Sequence, residues 1–156
     1  MPKGSQSIEI NASCADVFEL VHDYARRLEW DSMLSQAVLL HGARAAGLGV
    51  RSRCTGTWKS GFLALETEYI QFHPGQISAV RLTNRPPFFE HFAATIRHEA
   101  LDGGRSRTTY LYTFNARPRV LAPLLEPIMQ LMMRREIAQR LRALRSFLER
   151  KPGSVQ

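Results

Sequence analysis

The residues best suited to proton transfer lie on a predicted strand that covers residues 88–98. If side chains alternate regularly along this strand, Glu90 and His98 share a face with Phe92, and this face is expected to point inward. A carboxylate or imidazole that faces an apolar interior has a shifted pKa and can move protons. The alternative is that both side chains reach water near the strand ends and take no part in chemistry.

Other motifs with chemical potential are absent or weak. The sequence contains no CxxC, HExxH or HxH metal motif and no GxGxxG or GxxxxGK phosphate-binding loop. His91 and His98 are seven positions apart on one strand, so their side chains point to opposite faces. Cys14 lies in a predicted first helical turn, which can lower a thiol pKa, but no base lies beside it in sequence. We therefore expect no metal site and no cofactor, and we interpret Cys14 as an inert thiol.

Length and composition are typical of one globular domain, with 156 residues, 44% of them hydrophobic and 22% charged. We expect a single domain over residues 1–156, with its core between about residues 6 and 150. Two cysteines cannot form a disulfide framework, and the N-terminus lacks the apolar segment of a signal peptide. The longest apolar stretch, residues 120–133, is too short to span a bilayer. A cytoplasmic location is the resulting expectation.

The net charge of +7 comes almost wholly from arginine, because the chain has only three lysines. Strand alternation places Glu66, Glu68 and six arginines opposite most of the aromatic side chains: Arg51, Arg53, Arg81, Arg97, Arg105 and Arg107. We expect cross-strand charge pairs on a solvated face. The alternative is a basic platform for RNA or lipid head groups. Such platforms usually interleave aromatic and basic residues, so we expect no nucleic-acid partner.

Hydrophobic patterning predicts the elements that position these side chains. Residues 7–11 alternate polar and apolar side chains and indicate a strand, and Ser13 can cap the first of two short helices within residues 14–31. Six strands separated by short turns follow from about residue 35 and indicate an antiparallel meander. Only residues 1–6 and 151–156 have no predicted partner in this scheme.

A long helix is predicted over residues 127–150. Its apolar stripe consists of Ile137, Leu141, Leu144 and Leu148. Seven strands in one sheet should curve, and one helix cannot cover such a surface flush. Part of the concave face must therefore be filled by side chains or left as a cavity.

The stretch SIEINASCADVFELVHDYARRLEWD, with Val17, Phe18, Asp23 and Trp30, resembles the helix-grip superfamily. That superfamily includes START lipid-transfer domains, plant pollen-allergen-type proteins and bacterial polyketide cyclase/dehydrase-like proteins. The resemblance covers roughly residues 6–150, and Cys14 stands where members usually have proline. It implies an α+β helix-grip fold, in which a seven-stranded curved antiparallel sheet wraps around a long C-terminal helix and two short helices follow strand 1.

Alternation and the resemblance together predict which residues line a cavity. Flat aromatic rings, small hydroxyls and a methionine-rich helix start suit a large, poorly charged ligand. The predicted lining residues are Trp30, Ser52, Cys54, Trp58, Thr67, Tyr69, Val80, Phe92, Tyr110, Tyr112, Ile128, Met129, Met132 and Met133. The alternative is that these aromatic side chains fill the core and leave no space.

Two functions use the same predicted cavity. The first is binding or transport of a hydrophobic small molecule such as a lipid, an isoprenoid or an aromatic polyketide. The second, implied by the resemblance, is an aromatase-type polyketide cyclase/dehydrase without metal or nucleotide cofactor. Its catalytic candidates are Glu90, His98, Tyr69 and Tyr110. The apolar start of the last helix, followed by arginines, also suggests peripheral contact with an anionic membrane. An interaction role with a filled core remains a further alternative.

Overall fold

The chain forms one seven-stranded antiparallel sheet, two short helices and a long C-terminal helix, and the computed structural model describes residues 2–150. The strands are β1 (Lys3–Ile10), β2 (Leu34–Leu39), β3 (Arg51–Gly56), β4 (Ala64–His73), β5 (Ile77–Leu82), β6 (Phe89–Ala100) and β7 (Ser106–Ala116). The helices are α1 (Cys14–Val21), α2 (Arg27–Trp30) and α3 (Ala122–Glu149). This is the α+β helix-grip arrangement that the sequence predicts.

The strand order in the sheet is β1-β7-β6-β5-β4-β3-β2. Consecutive strands from β2 to β7 are therefore neighbours, which confirms the predicted meander, and β1 pairs with the last strand. Register shifts interrupt the pairing in β2, near Tyr69 in β4, and between Phe89 and His91 in β6. Such irregularities bend strands and increase their twist, so they help the sheet to curve.

The N-terminal segment is more ordered than predicted. β1 begins at Lys3 rather than Ser7, and Lys3 pairs with Thr113 of β7. Gly4 permits this close pairing, because a Cβ there would collide with the Tyr112 hydroxyl. The C-terminal residues 151–156, which were also predicted to have no partner, lie outside the described residues.

Helix α1 forms where the sequence predicts a helix start. The Ser13 hydroxyl accepts a hydrogen bond from the backbone N–H of Asp16 at 3.1 Å, which satisfies one of the free donors of the first turn. Val17, Leu20 and Val21 are buried on one side of the helix. The helix ends at Val21, and a turn carries the chain to α2.

Helix α3 begins at Ala122 rather than at Pro127, so Pro127 lies inside it. The apolar stripe is confirmed for Ile137, Leu141 and Leu144, which are buried, whereas Leu148 is only partly buried. The helix packs mainly on β1 and β7, at one side of the sheet. The concave face of β3 to β5 is consequently left without a helix packed directly on it, and this is where the site lies.

Candidate functional site

A cavity of about 870 Å³ lies between the concave face of the sheet and α3. This volume falls in the range of roughly 300–1,000 Å³ that is usual for small-molecule sites. Apolar side chains from β5, β6 and the first half of α3 form much of the wall, including Val80, Phe92, Ala94, Ile96, Met129 and Met133. The open half of the curved sheet therefore forms a cavity and is not filled by side chains.

Most of the residues predicted to line a cavity do lie in its wall. From the strands these are Ser52, Cys54, Thr67, Tyr69, Val80, Phe92 and Tyr110, and from α3 they are Ile128, Met129, Met132 and Met133. Simple alternation was sufficient for these strand residues because the register shifts in β4 and β6 lie beside them and not within them, after Tyr69 and before Phe92. Their roles toward a ligand stay predictions.

Three predicted lining residues lie elsewhere. Trp58 is 72% exposed, because β3 ends at Gly56 and Trp58 begins a short 3₁₀ turn. Tyr112 is buried in the core beneath Gly4. Trp30 is also buried in the core, where the Arg27 guanidinium lies 5.0 Å from the centre of its ring.

The two proton-transfer candidates on β6 are also outside the cavity wall. The irregularity between Phe89 and His91 shifts the alternation, so that Phe89 and Phe92 are both buried and Glu90 is displaced from the inward face. Glu90 instead forms an ion pair at 3.6 Å with the exposed Arg85. His98 is buried under α1 at 5.6 Å from the Phe18 ring, and its Nδ1 lies 3.2 Å from the Thr108 hydroxyl.

A chain of hydrogen bonds runs along one wall of the cavity. The Ser78 hydroxyl lies 3.0 Å from His22 Nε2, and His22 Nδ1 lies 2.8 Å from the Tyr69 hydroxyl. The Tyr69 hydroxyl in turn lies 2.8 Å from the Tyr24 hydroxyl. All four residues line the cavity, so these hydrogen bonds connect a histidine ring to hydroxyl-bearing residues of the cavity wall.

The groups in this chain are neutral over the physiological pH range. Burial, with smaller contributions from Arg27 and His98, lowers the pKa of His22 to about 3. Burial also raises the pKa of Tyr69 well above its usual value of 10, with a contribution from Tyr24. A neutral imidazole donates through one ring nitrogen and accepts through the other. The tautomer of His22 therefore decides which group donates and which accepts in each of these hydrogen bonds. A proton can be relayed along them if every donor and acceptor exchanges its role.

A buried charged cluster lies beside this chain. The Asp31 side chain is fully buried, accepts a hydrogen bond from Arg27 Nε at 2.9 Å, and accepts another from the backbone N–H of Met33 at 3.1 Å. Arg140 Nε of α3 approaches the same Asp31 oxygen to 2.9 Å, but its N–H does not point along this contact, so the pair is ionic without a good hydrogen bond. Arg27 and Arg140 both line the cavity.

The charged cluster also affects the pKa values of two more polar groups in the cavity wall. Burial raises the pKa of Glu136, one helical turn before Arg140, although the Arg140 charge opposes the shift. Burial also raises the pKa of the Cys54 thiol, and both arginines oppose that shift. The thiol is therefore protonated at neutral pH, which argues against a nucleophilic role.

The mouth of the cavity is lined by exposed apolar side chains. Phe62 lies in the turn before β4, Phe88 lies in the turn before β6, and Ile128 and Met132 lie on α3. Each of these four residues is more than half exposed. Peripheral membrane contact through this end of α3 stays a prediction.

The strand arginines lie outside the cavity, as predicted. Arg53 pairs with Glu66, Arg81 with Glu68, and Arg105 and Arg107 both pair with Glu9. Exposed cross-strand pairs of this kind contribute little stability. The charged face of the sheet therefore fits the predicted set of charge pairs.

The polar residues that sequence reasoning missed come mainly from helices and turns. His22, Tyr24, Arg27 and Asp31 follow α1 in sequence, where strand alternation gives no information. For Arg140 the sequence did contain an indication of an inward position. The residue lies about one helical turn after Ile137 and directly before Leu141, both of which belong to the predicted apolar stripe. A charged residue at the edge of such a stripe indicates a position that faces the interior.

Residues 2–150 contain no cluster of three or more histidine, cysteine or acidic side chains arranged to hold a metal ion. No helix within the same residues is both long and apolar enough to cross a membrane.

Several solved structures share this fold. The Zhui aromatase/cyclase from a Streptomyces species aligns with a TM-score of 0.78 at 16% identity, over 96% of this chain and 94% of that one. A START superfamily protein from Mycobacterium smegmatis aligns with a TM-score of 0.76 at 13% identity, over 94% of this chain and 97% of that one. Norcoclaurine synthase from Thalictrum flavum aligns with a TM-score of 0.72 at 11% identity, over 96% of this chain and 87% of that one. At these identities the likeness shows the fold alone.

Sequence comparison is more specific than structural likeness here. No curated protein sequence matches the chain. The family model described as polyketide cyclase / dehydrase and lipid transport matches residues 1–149, which is nearly the whole chain. Together with the helix-grip fold, this match shows that the chain belongs to the polyketide cyclase / dehydrase and lipid transport family.

Proposed function

We propose that this protein binds a hydrophobic small molecule, such as a lipid, an isoprenoid or an aromatic polyketide, in the cavity between the sheet and α3. The observation that carries the proposal is the cavity itself, with a volume of about 870 Å³ and a largely apolar wall. Burying an apolar ligand there releases roughly 25 cal/mol for each Å² of apolar surface removed from water. The family to which the chain belongs and the aromatase/cyclase among its structural neighbours support this ligand class.

The exposed apolar residues at the mouth provide the route of entry. Phe62, Phe88 and Met132 come from three separate segments and are each more than half exposed, so none of them belongs to the buried core. Met132 and Met133 also form an adaptable wall, because unbranched methionine side chains fit irregular shapes. The proposal therefore includes ligand entry between α3 and the turns before β4 and β6.

Native mass spectrometry of the protein as purified from cells tests this function. We expect a mass excess over the polypeptide that disappears on denaturation, and an apolar molecule in the organic extract. A clean apo mass, together with no thermal shift from a panel of lipids and polyketide mimics, would contradict the proposal.

A second candidate function, polyketide cyclisation and dehydration, is favoured by the hydrogen-bond chain of Ser78, His22, Tyr69 and Tyr24. In water loss from a β-hydroxy ketone, a base takes the α-proton, the carbon–oxygen bond breaks, and the hydroxyl leaves with a proton as water. Tyr69 can take the α-proton as it passes its own proton to His22, and the reverse transfer returns a proton to the leaving hydroxyl, so the step balances without a cofactor. Protonated His22 is short-lived in this step, because burial lowers its pKa to about 3. Of the four catalytic candidates predicted from the sequence, Tyr69 is the one that belongs to this chain of hydrogen bonds.

The enzyme reading has a direct test. Conversion of a model β-hydroxy ketone to its enone is followed by ultraviolet absorbance. We expect Tyr69→Phe to abolish turnover. Ligand affinity should change by less than about threefold, which is within the usual net free-energy contribution of one hydrogen bond. Tyr112→Phe, outside the cavity, is the matched control and should retain the rate. Equal rates in buffer and in native protein would exclude this function and leave the binding proposal standing.

A further inference from the structure

The buried end of the cavity contains a guanidinium group with unused hydrogen-bond donors. Among residues 2–150, Arg140 forms an ion pair only with Asp31 and makes no hydrogen bond. Its side chain is only 17% exposed. Buried donors are nearly always paired in native proteins, and an unpaired one costs free energy. Because Nε faces Asp31, the two Nη groups of Arg140, which have no hydrogen-bond partner among residues 2–150, are the donors available to a ligand or to water in the cavity.

The two guanidinium groups share one direct carboxylate partner. Arg27 and Arg140 bring two positive charges to this end of the cavity, and Asp31 supplies one negative charge that both share. Glu136 lies in the cavity wall but within 4.0 Å of neither guanidinium, so it forms no direct ion pair with either arginine. Asp31 is already occupied by Arg27 and by the backbone of Met33. An additional acceptor, preferably negative, would complete the cluster.

Nearby polar groups in the wall are also donors. The Tyr110 hydroxyl lines the cavity, has no hydrogen-bond partner among the described residues, and has a pKa raised by burial, so it stays protonated. The arginines themselves are donors only. An oxygen-rich ligand group that accepts hydrogen bonds therefore fits this end, whereas an amine or another cation does not.

The position of this cluster along α3 sets the shape of the ligand. Ile128 and Met132 lie at the exposed mouth, and Glu136 and Arg140 follow on the same helix. At a rise of 1.5 Å per residue, Ile128 and Arg140 are separated by about 18 Å along the helix axis. The wall between them is apolar and includes Met129, Met133 and Ile137. The geometry fits an elongated ligand with a polar head inside and an apolar body that extends to the mouth.

We propose that the Arg140 guanidinium, held beside Arg27 by their shared Asp31, binds the carboxylate head of an amphipathic ligand whose apolar body fills the cavity. This inference rests on the proposed binding function and adds the class of its ligand. An arginine fork can bind a carboxylate through two parallel hydrogen bonds, which a neutral carbonyl cannot reproduce. Arg27 is a positioning residue in this proposal, because Asp31 and the Val21 carbonyl already use its Nε and Nη1 donors.

Isothermal titration calorimetry with dodecanoic acid and its methyl ester tests the proposal on the intact protein. The two probes share an apolar chain and differ only in the head group. We expect the acid to bind at least tenfold more tightly than the ester. In Arg140→Gln this preference should disappear through weaker binding of the acid, with little change for the ester. Arg140→Lys, which keeps the charge but loses the planar fork, should retain a reduced preference.

Arg142→Gln is the matched control, since it removes the same charge from an exposed position outside the cavity wall. It should leave the preference unchanged, which excludes an effect of net charge. Equal affinity for acid and ester in the native protein would overturn the carboxylate proposal while supporting cavity binding. If neither probe binds and the broader ligand panel also fails, the proposed function fails as well. The native-protein comparison needs no variant, so poor folding of Arg140→Gln cannot leave the question open.

Discussion

His22 Nδ1 and the Tyr69 hydroxyl lie 2.8 Å apart, although 47 positions separate the two residues in sequence. The contact ties the turn after α1 to the middle of β4 across the cavity wall. Because the Tyr69 hydroxyl also contacts Tyr24, its removal leaves two polar groups with one partner fewer. We expect Tyr69→Phe to lower the free energy of unfolding by about 1–3 kcal/mol, as is usual when buried groups lose a partner.

Urea denaturation measures this change, and Tyr110→Phe is its matched control. Tyr110 lines the same cavity, but its hydroxyl has no hydrogen-bond partner among the described residues. Tyr110→Phe should therefore lower the free energy of unfolding clearly less than Tyr69→Phe. Equal losses in the two variants would show that the hydrogen-bond chain does not contribute to stability.

Stability should fall as the pH drops below neutrality. Burial lowers the pKa of His22 to about 3 and that of His98 to about 4, whereas both start from an ordinary value of 6.5 in the unfolded chain. Between pH 6.5 and these folded values, the unfolded state binds more protons, so stability is full above 6.5 and is lost on acidification. Each histidine contributes a slope of up to about 1.4 kcal/mol per pH unit.

Urea denaturation between pH 7 and 4.5 measures the slope. His98→Gln should make it shallower, because one buried neutral imidazole is removed. His91→Gln replaces an exposed histidine on the same strand and should leave the slope unchanged. Parallel curves for native protein and His98→Gln would mean that His98 is not held neutral by burial.

Asp31 should be the most sensitive single position in the charged cluster. Its carboxylate is fully buried and lies 2.9 Å from both Arg27 and Arg140. We expect Asp31→Asn to cost about 3–5 kcal/mol, because it leaves two buried guanidinium groups without a counter-charge. Thermal denaturation measures the loss.

The double variant Asp31→Asn with Arg140→Gln separates electrostatics from packing. Removing one uncompensated charge should recover part of the lost stability, so the double variant should be more stable than Asp31→Asn alone. If the stability losses of Asp31→Asn and Arg140→Gln simply add in the double variant, electrostatic attraction between these residues does not stabilise the cluster.

The fold could be predicted from sequence because its determinants are local and repetitive. The Ser13 cap, the buried stripe of α3 and the period-two strands each predict their own element, whereas the helix-grip topology was implied by the resemblance of residues 7–31 to that superfamily. The N-terminal limit of β1 was the exception, since polar residues at Lys3 to Gln6 give no apolar signal and are ordered only by pairing with β7.

The site was only half predictable. Alternation places Ser52, Thr67 and Tyr110 in the cavity wall, and it fails at Glu90, where one irregularity in β6 moves the side chain off the inward face. The polar groups of greatest chemical interest, such as His22 and Arg27, lie in or beside a turn. Their position depends on how that turn packs over β4 and α3, which no local pattern encodes.

Two adjacent alanines on β6 offer a test of the cavity that leaves the chemistry untouched. Ala94 faces the cavity and is buried, whereas Ala93 lies on the opposite face of the same strand and is not part of the cavity wall. Ala94→Phe places a ring in the ligand space, so it should weaken binding of an apolar ligand. The fold should be retained, because the cavity can accept the added volume. Ala93→Phe adds the same ring outside the cavity and should bind the ligand normally.

Fluorescence titration with a neutral apolar dye measures the binding affinity of both variants, with circular dichroism as the check on folding. If Ala94→Phe binds as well as Ala93→Phe, the ligand does not occupy the part of the cavity beside Ala94.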